Sequence, residues 1–197
     1  MGTRHLVAVQ VDGEYKVAKY GQWDGYPSGQ GVKVLAFLTA PEFDKNAFAE
    51  AVRACSDISD EEYKHAWVSC GADPEAEWVS MDVSDKFSKA YPHLHRDCGA
   101  GILPLIMAAG ANGLKLNNHI EFAADSLFCE WAYVIDLDKN VLEVFKGFNK
   151  SPLEDGERFA HLPVEHSEYY QVKFVKSFDL DKLPNPKEFV TILDPEE

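Results

Sequence analysis

Residues 5–20 read HLVAVQVDGEYKVAKY, and this stretch decides the fold of the chain. His5–Val11 is rich in valine and leucine and predicts a strand, while Asp12 and Gly13 form a signal for a two-residue hairpin turn. Residues 15–20 alternate in polarity and predict the partner strand. The chain is therefore expected to open with a β-hairpin.

A second hairpin is predicted in the C-terminal half of the chain. Phe128–Leu137 alternates along its length, residues 138–140 provide a turn, and Val141–Lys146 returns as the partner strand. The turn imitates the start of a calcium-binding loop but lacks the glycine and the final glutamate of such a loop, so a plain turn is the better interpretation. Residues 170–177 alternate strictly and predict a fifth strand.

Four helices are predicted between the two hairpins. Asp44 is a candidate N-cap, Ser59 and Glu62 have the spacing of a capping box, and residues 98–109 suggest an apolar, buried helix. The order ββ–α–α–α–α–ββ–β predicts an α+β fold, an antiparallel sheet of two hairpins plus a C-terminal strand, with the inserted helices packed in layers on it. A single domain is expected over residues 1–197, with residues 178–197 as a peripheral C-terminal tail.

The chain is strongly acidic. Its 197 residues include 19 lysines and arginines against 33 aspartates and glutamates, which gives a formal net charge of −14. Such a surface repels phosphate backbones and anionic lipids, so nucleic-acid and membrane partners are not expected. The N-terminus shows no apolar signal segment, and no apolar run approaches the roughly 20 residues of a membrane span. A cytoplasmic protein is expected, with a small-molecule ligand or another protein as its partner.

The four cysteines match neither a redox pair nor a zinc site. They show no Cys-x-x-Cys spacing: Cys55, Cys70, Cys98 and Cys129. Free cysteines are among the most buried residue types, so reduced and mostly buried thiols are expected. No cofactor and no metal site is predicted.

The densest group of chemically capable residues surrounds the loop GQWDGYPSGQG, residues 21–31. If the first hairpin forms, this loop emerges at the end of the sheet that also carries residues 3–5. Five side chains are then expected to meet: Arg4, His5, Trp23, Asp24 and Tyr26. A guanidinium, an imidazole, a carboxylate and two aromatic rings predict a pocket for a small anionic or amide-bearing ligand.

Two glycines of this loop, Gly29 and Gly31, precede a predicted helix whose free N–H groups can receive an anion. A purely structural interpretation also stays open. Glycine and proline suit a tight loop, Asp24 can bond turn amides, and Trp23 and Tyr26 can pack over the hairpin.

A second candidate site is the segment HLHRDC, residues 93–98. Cys98 is expected near a helix N-terminus, with Arg96 and two histidines close by, and these influences lower a thiol pKa and create a nucleophile. Asp97 is placed to orient an imidazole. In the structural alternative Asp97 is the helix N-cap, Cys98 is buried and both histidines lie in a solvated turn. The two histidines alone are too few ligands for a metal site.

The chain resembles a small family of phage, bacterial and fungal proteins. That family has an N-terminal T-R-[HS]-L stretch, a short hairpin and a W-D-G-Y-P-x-G-x-G loop. Four segments match this pattern: Thr3–Leu6, Trp23–Gly31, Arg96–Ala100 and Trp131–Asp136. The resemblance spans most of the chain but carries no activity over to it.

The opening also resembles, more loosely, the N-terminal-nucleophile hydrolases, which begin with a nucleophile on the first strand followed by a hairpin. Thr3 would be that nucleophile. Removal of Met1 leaves Gly2 at the terminus, so Thr3 lacks the free amine that serves as its base in such enzymes.

The sequence therefore favours a small-molecule or amide-directed hydrolase. In this hypothesis Arg4 holds an anionic group, and His5 or Asp24 acts as the base. Trp23 and Tyr26 form the walls of the pocket. Two alternatives stay open: a non-catalytic ligand-sequestering or protein-interaction module that uses the same loop, and a thiol enzyme whose cysteine in the second site alkylates rapidly at neutral pH.

Overall fold

The structure is a computed structural model that describes residues 2–76, 78–164 and 168–194. Within this part of the chain lie the strands β1 (His5–Val11), β2 (Glu14–Gly21), β3 (Ser56–Asp57), β4 (Lys115–Leu116), β5 (Trp131–Asp136), β6 (Val141–Lys146) and β7 (Lys173–Asp179). Five of them form one sheet in the order β2-β1-β5-β6-β7. The short strands β3 and β4 pair separately, in parallel.

Six α-helices are found in the described residues: α1 (Val32–Leu38), α2 (Lys45–Arg53), α3 (Asp60–Ser69), α4 (Met81–Ala90), α5 (Ile102–Ala109) and α6 (Pro186–Leu193). The predicted helix starts at two of them are confirmed. Asp44 caps the first N–H groups of α2, and Ser59 and Glu62 form the capping box of α3. Within the described ranges, no helix is both long and apolar enough to cross a membrane.

The predicted α+β fold is confirmed, and so are both hairpins and the C-terminal strand. One pairing differs from the expected antiparallel sheet, because β1 and β5 run parallel at its centre. Parallel neighbours need a long crossover connection. The segment between the two hairpins, with α1 to α5, supplies it. The sheet is therefore mixed.

Both faces of the sheet are covered at its centre, where almost every residue of β1 and β5 is buried, whereas the edge strand β7 is mostly exposed. One face, here called the helical face, packs against α1, α2, α5 and α6. Its strand residues include Val7, Val9, Tyr133 and Ile135. The opposite face, here called the loop face, is covered by the segments around residues 120–124 and 153–162. Its strand residues include Leu6, Ala8, Ala132 and Val134. Strands covered on both faces read as nearly continuous apolar runs.

The C-terminal segment belongs to the core. α6 follows β7 after a short 3₁₀ turn, and the side chain of Asn185 caps its first turn. Phe189 and Leu193 of this helix are 0% and 4% exposed and pack on the helical face. The expected peripheral tail is therefore wrong for residues 178–194, because these apolar side chains complete the core. Residues 195–197 lie outside the described part of the chain.

The turn between β5 and β6 ties the two hairpins together. The carboxylate of Asp138 accepts the N–H groups of Asp12 and Gly13, both at 2.8 Å. Asn140 has a positive φ of 58°, a conformation that tight hairpin turns require. The prediction of a hairpin turn at this point is confirmed.

A partly buried arginine links the loop face to the segment that covers it. Arg158 donates to the carboxylates of Asp136 and Glu143, to Gln10 Oε1 and to the Tyr15 hydroxyl. Its side chain is 9% exposed, and that of Asp136 is 0% exposed. Burial lowers the pKa of Arg158, but its hydrogen bonds to Tyr15 and Asp136 outweigh that effect and raise it. Two carboxylates thus share one guanidinium at the wall of a cleft of about 570 Å³, with Asp136 fully buried beneath it.

Candidate functional site

The loop after β2 is folded onto the end of the sheet by hydrogen bonds to its backbone. The N–H of Gly25 donates to the Thr3 carbonyl (2.9 Å), and the N–H of Gln30 donates to the Asp24 carbonyl (2.8 Å). The hydroxyl of Tyr133, on the helical face, donates to the Gly25 carbonyl at 2.8 Å. The loop is therefore a packed part of the fold.

Two predicted site residues, Thr3 and His5, are buried at this end of the sheet, with 4% and 1% of their surface exposed. Three glycines make room for the imidazole. A Cβ on Gly21 would overlap the His5 ring, and a Cβ on Gly25 or Gly99 would come within 2.8 or 2.9 Å of this side chain. The predicted open pocket, with Thr3 as nucleophile or His5 as base, is wrong because a substrate cannot reach either residue.

The buried imidazole is uncharged at pH 7. Burial lowers the pKa of His5 to about 4, and the backbone of Thr3 offsets only part of that shift. Within the described residues, neither ring nitrogen meets the geometry of a hydrogen bond. His5 therefore contributes to packing.

This histidine should make the protein sensitive to acid. The unfolded chain protonates His5 at its ordinary pKa of 6.5, whereas the folded protein resists protonation until about pH 4. The unfolded state binds more protons in this window, so stability should fall as the pH drops from 6.5 to 4, by roughly 3 kcal/mol in total. Urea unfolding across the window measures the slope. In a His5→Leu variant, most of this dependence of stability on pH should disappear. An unchanged slope in the variant would assign the acid sensitivity to other groups.

The predicted anion site at Gly29 and Gly31 is also wrong. Both N–H groups donate to the carbonyl of Tyr26, at 3.0 and 3.2 Å, because Pro27–Gly31 forms a tight π turn ahead of α1. A Cβ on Gly31 would lie 3.0 Å from two aromatic rings of the core. The backbone here is packed and its donors are already used.

Four of the predicted residues keep solvent access. Trp23 and Tyr26 are 46% and 45% exposed, and Asp24, between them in the sequence, is exposed with a φ of +57°. Arg4 is half-buried and holds its guanidinium 4.6 Å from the centre of the Phe128 ring. These side chains form an outer surface, and none of them lines the clefts of about 570, 490 and 660 Å³ in the described part of the chain.

The second predicted segment lines a cleft of about 660 Å³ between α4 and the start of α5, here called the α4–α5 cleft. α4 begins at Met81, where the side chain of Ser80 caps the first turn. The polar wall of the cleft carries Ser84, Asp85, His95, Arg96, Asp97 and Cys98. Its apolar wall includes Met81, Pro104 and Leu105.

His95 connects two polar side chains of this cleft. Its Nε2 lies 3.5 Å from the Ser84 hydroxyl, and its Nδ1 lies 3.7 Å from the Asp97 carboxylate. The backbone N–H of Asp97 donates to Nδ1 at 3.3 Å, so Nε2 carries the ring proton in this arrangement and donates it to Ser84. Burial lowers the pKa of His95 more than Asp97 raises it, so the ring is neutral at pH 7.

The prediction of a lowered pKa for Cys98 is wrong. Burial raises the pKa of this half-buried thiol, and Lys19 offsets the shift only in part. The two nearby histidines supply no positive charge, since burial lowers the pKa of both His93 and His95. Arg96 is 66% exposed and lies 3.9 Å from Asp97. The other three cysteines are free and buried, as predicted.

Sequence reasoning missed Lys19, which lies on β2 opposite Val7 of β1 and is only 2% exposed. Burial lowers the pKa of its amine to about 8, and the charge of Cys98 partly opposes this shift. A usable signal was present, because the alternation of β2 places Lys19 on the same face as the buried Val17 and Gly21.

The structure shows no metal centre in the part of the chain that it describes, where no three histidine, cysteine, aspartate or glutamate side chains are grouped to hold an ion. The two histidines of the second segment line different clefts. His95 lines the α4–α5 cleft, and His93 lines a neighbouring cleft of about 490 Å³.

Comparison with protein-family models, with curated proteins and with solved structures finds no match to this chain. Its function has to be inferred from the geometry and chemistry of the site itself.

Proposed function

We propose that this chain is a hydrolase that acts on small ester or amide substrates in the α4–α5 cleft. The observation that supports this is the position of His95, whose ring reaches a hydroxyl through one nitrogen and a carboxylate through the other. Serine, imidazole and carboxylate in this order are the groups that acyl-transfer enzymes use for nucleophilic catalysis. The hydrolase class suggested by the sequence is retained, but its site moves from the loop after β2 to this cleft.

Each group has a defined role in the proposed reaction. Ser84 Oγ attacks the carbonyl carbon, His95 Nε2 takes the hydroxyl proton, and Asp97 stabilises the imidazolium that forms. The reaction requires the other tautomer of the ring, with the proton on Nδ1. His95 must therefore give up the hydrogen bond from the Asp97 N–H and turn its Nδ1 proton to the Asp97 carboxylate, 3.7 Å away. Catalytic hydrogen bonds often tighten when substrate binds, so both contacts are expected to shorten in the substrate complex. The neutral imidazole is the form that can accept the proton.

The charges of the cleft favour substrates without negative charge. Asp85 and Asp97 contribute two carboxylates against the single cation of Arg96, and the whole chain carries −14. An anionic substrate is repelled by this field. Met81 and Pro104 offer an apolar surface to the rest of the molecule. The proposed substrates are therefore neutral or cationic esters and amides with a small apolar group.

Replacing Ser84 by alanine should reduce ester hydrolysis by at least about 100-fold, because the nucleophile is lost. His95→Gln should cause a comparable loss, since glutamine is polar but cannot act as a base. Initial rates on a panel of neutral p-nitrophenyl esters measure both effects. Ser88→Ala is the matched control. Ser88 lines the same cleft one turn further along α4, but its hydroxyl donates to the Asp85 carbonyl.

The control variant should keep the wild-type rate. Equal rates in the wild-type protein, Ser84→Ala and His95→Gln would remove both residues from the reaction. Unchanged melting temperatures are needed for either conclusion, because a general loss of folding lowers every rate.

A second candidate function is a non-catalytic binding module, and the surface around the loop after β2 favours it. Trp23 and Tyr26 are nearly half exposed on a hydrogen-bonded backbone, and Arg4 stacks on Phe128 at the same end of the sheet. Aromatic residues and arginine are enriched at the centres of protein interfaces. This candidate predicts saturable binding without turnover. Product formation that depends on Ser84 would decide for the hydrolase.

A further inference from the structure

We propose that a second cleft, between α1 and α5 and here called the α1–α5 cleft, binds the apolar tail of an uncharged substrate whose ester or amide group lies in the α4–α5 cleft. The inference rests on the proposed function for the chemistry at the reacting group. It adds the class of substrate, which is neutral esters and amides with an extended alkyl or aryl tail. Because the tail lies in a separate cleft, its binding can be tested without turnover.

The first observation is the apolar outer side of α5. The helix has the sequence ILPLIMAA, which contains no polar residue. Three of its side chains are buried in the core, whereas Pro104 and Ala108 are exposed. A helix at the surface of a globular protein normally carries polar residues on its outer side. The apolar residues found there instead indicate that this side of α5 contacts an apolar group.

The second observation is that this outer side joins two clefts. It carries four residues whose spacing of three or four positions places them along one side of the helix: Gly101, Pro104, Leu105 and Ala108. The first three line the α4–α5 cleft, whereas Pro104 and Ala108 line the α1–α5 cleft. Pro104 is therefore shared by both. At the rise of a helix, the row is about 10 Å long, so a substrate with an extended tail can reach from one cleft into the other.

The walls of the α1–α5 cleft are mainly apolar and are held in place by the core. The cleft has a volume of about 250 Å³, and its lining includes Phe37, Phe43 and Met107. The ring centres of Phe37 and Phe43 lie 5.3 Å apart, and both rings also pack on the fully buried Phe48, at 5.0 and 5.8 Å. Pockets for small molecules are typically preformed and lined by apolar and aromatic side chains, as this one is.

The charges around both clefts favour a tail without a charge of its own. Glu42, which is exposed, is the charged residue that lines the α1–α5 cleft in the described part of the chain. Together with Asp85 and Asp97 of the α4–α5 cleft, it disfavours a ligand that ends in a carboxylate. Affinity for the tail then comes from apolar burial, which strengthens binding about fourfold for each methylene that is fully buried.

Ester hydrolysis by the full chain tests the tail site through the length of the acyl group. The kcat/KM of the wild-type protein should be at least about tenfold higher for p-nitrophenyl octanoate than for p-nitrophenyl butyrate, because the longer chain buries more methylenes. Ala108→Asp adds a carboxylate to the wall of the α1–α5 cleft and should reduce this ratio about tenfold. Ala36→Asp is the matched control, because Ala36 is an exposed alanine of α1 that lines neither cleft. It should keep the wild-type ratio.

Binding of an uncharged dye tests the same site without turnover. N-phenyl-1-naphthylamine fluoresces in apolar surroundings and should bind the wild-type protein saturably. Its dissociation constant should rise at least about fivefold in Ala108→Asp, since a charge beside the dye would have to lose water. Ala36→Asp should bind the dye as the wild-type protein does. Both alanines are exposed, so the melting temperatures of the two variants should stay close to that of the wild-type protein.

The two experiments separate the tail site from the proposed hydrolase. The tail site is overturned if Ala108→Asp keeps the wild-type ester ratio, if it binds the dye as tightly as the wild-type protein, or if Ala36→Asp shows equal losses. Esterase activity that depends on Ser84 but is insensitive to Ala108→Asp would keep the hydrolase and reject the tail site. Dye binding that depends on Ala108, in a protein that hydrolyses no ester, would reject the hydrolase and keep the apolar site.

Discussion

Replacing Arg158 by methionine should lower the free energy of unfolding by about 3–5 kcal/mol. Its side chain is 9% exposed and is the cation for two carboxylates, Asp136 and Glu143, so its removal leaves buried negative charge uncompensated. Methionine keeps much of the apolar length of arginine, and the loss therefore reports mainly on charge. Urea unfolding at neutral pH measures it.

Lys139 supplies the matched control for this experiment. It also faces Asp136, at 3.9 Å, but 68% of its side chain is exposed. Lys139→Met should lower the free energy of unfolding by less than about 1 kcal/mol, because exposed ion pairs contribute little to stability. Combining Arg158→Met with Asp136→Asn and Glu143→Gln should recover part of the loss, since no charge is then left unpaired. If Arg158→Met and Lys139→Met cost the same, the buried cluster is not what stabilises this part of the fold.

The Lys19→Met variant should be more stable than the wild-type protein at neutral pH, by roughly 3 kcal/mol. Burial lowers the pKa of the amine from its ordinary 10.5 to about 8. Below about pH 8 both the folded and unfolded states carry the charge, and the full cost of burying it acts on the folded state. Between pH 8 and 10.5 the unfolded state binds more protons, so wild-type stability rises with pH and the difference from the variant disappears.

Urea titrations of both proteins across this pH window measure the effect. The two stability curves should converge as the pH approaches 10.5. Lys16→Met, on the more exposed part of the same strand, should show no comparable gain at neutral pH. A gain of the same size at neutral pH and at pH 10.5 would contradict the electrostatic cause and point to better packing of methionine.

The loop of residues 21–31 is the most conspicuous motif of the sequence, but the proposed hydrolysis takes place in the α4–α5 cleft. Gly21 and Gly25 lack side chains where the ring and Cβ of His5 need space, and the backbone of the loop bonds to Thr3 and to the core. A dense group of glycine, aromatic and polar residues can thus serve packing. The exposed Trp23 and Tyr26 remain available to a partner.

Much of the fold could be predicted because its signals are local. Asp44 bonds N–H groups two and three residues away, and Ser59 bonds Glu62 within one turn. A hairpin turn such as Asp12-Gly13 likewise acts on the residues beside it. Interactions of this kind depend little on the rest of the chain, so a sequence pattern indicates them reliably.

The candidate site could be predicted only in part. His95, Asp97 and Cys98 are neighbours in the sequence and were singled out together. Ser84 lies eleven positions earlier, and it meets His95 only because the segment before α5 folds back along α4. The direction of the Cys98 pKa shift was wrong because neighbouring residues indicate charge, whereas the loss of water around the thiol depends on everything packed over it.

The sequence by itself determined the five strands of the main sheet, the starts of α2 and α3, the acidity and the absence of Cys-x-x-Cys spacing, since these depend on composition and on neighbours a few residues apart. Only the tertiary structure decided that β1 and β5 run parallel, that α6 completes the core, and that His5 and Lys19 are buried, the imidazole without a hydrogen-bond partner among the described residues. Strand pairing and the loss of water around a side chain both depend on elements that are distant in the chain. The sequence around a charged residue such as Lys19 therefore does not indicate whether water or protein surrounds its side chain.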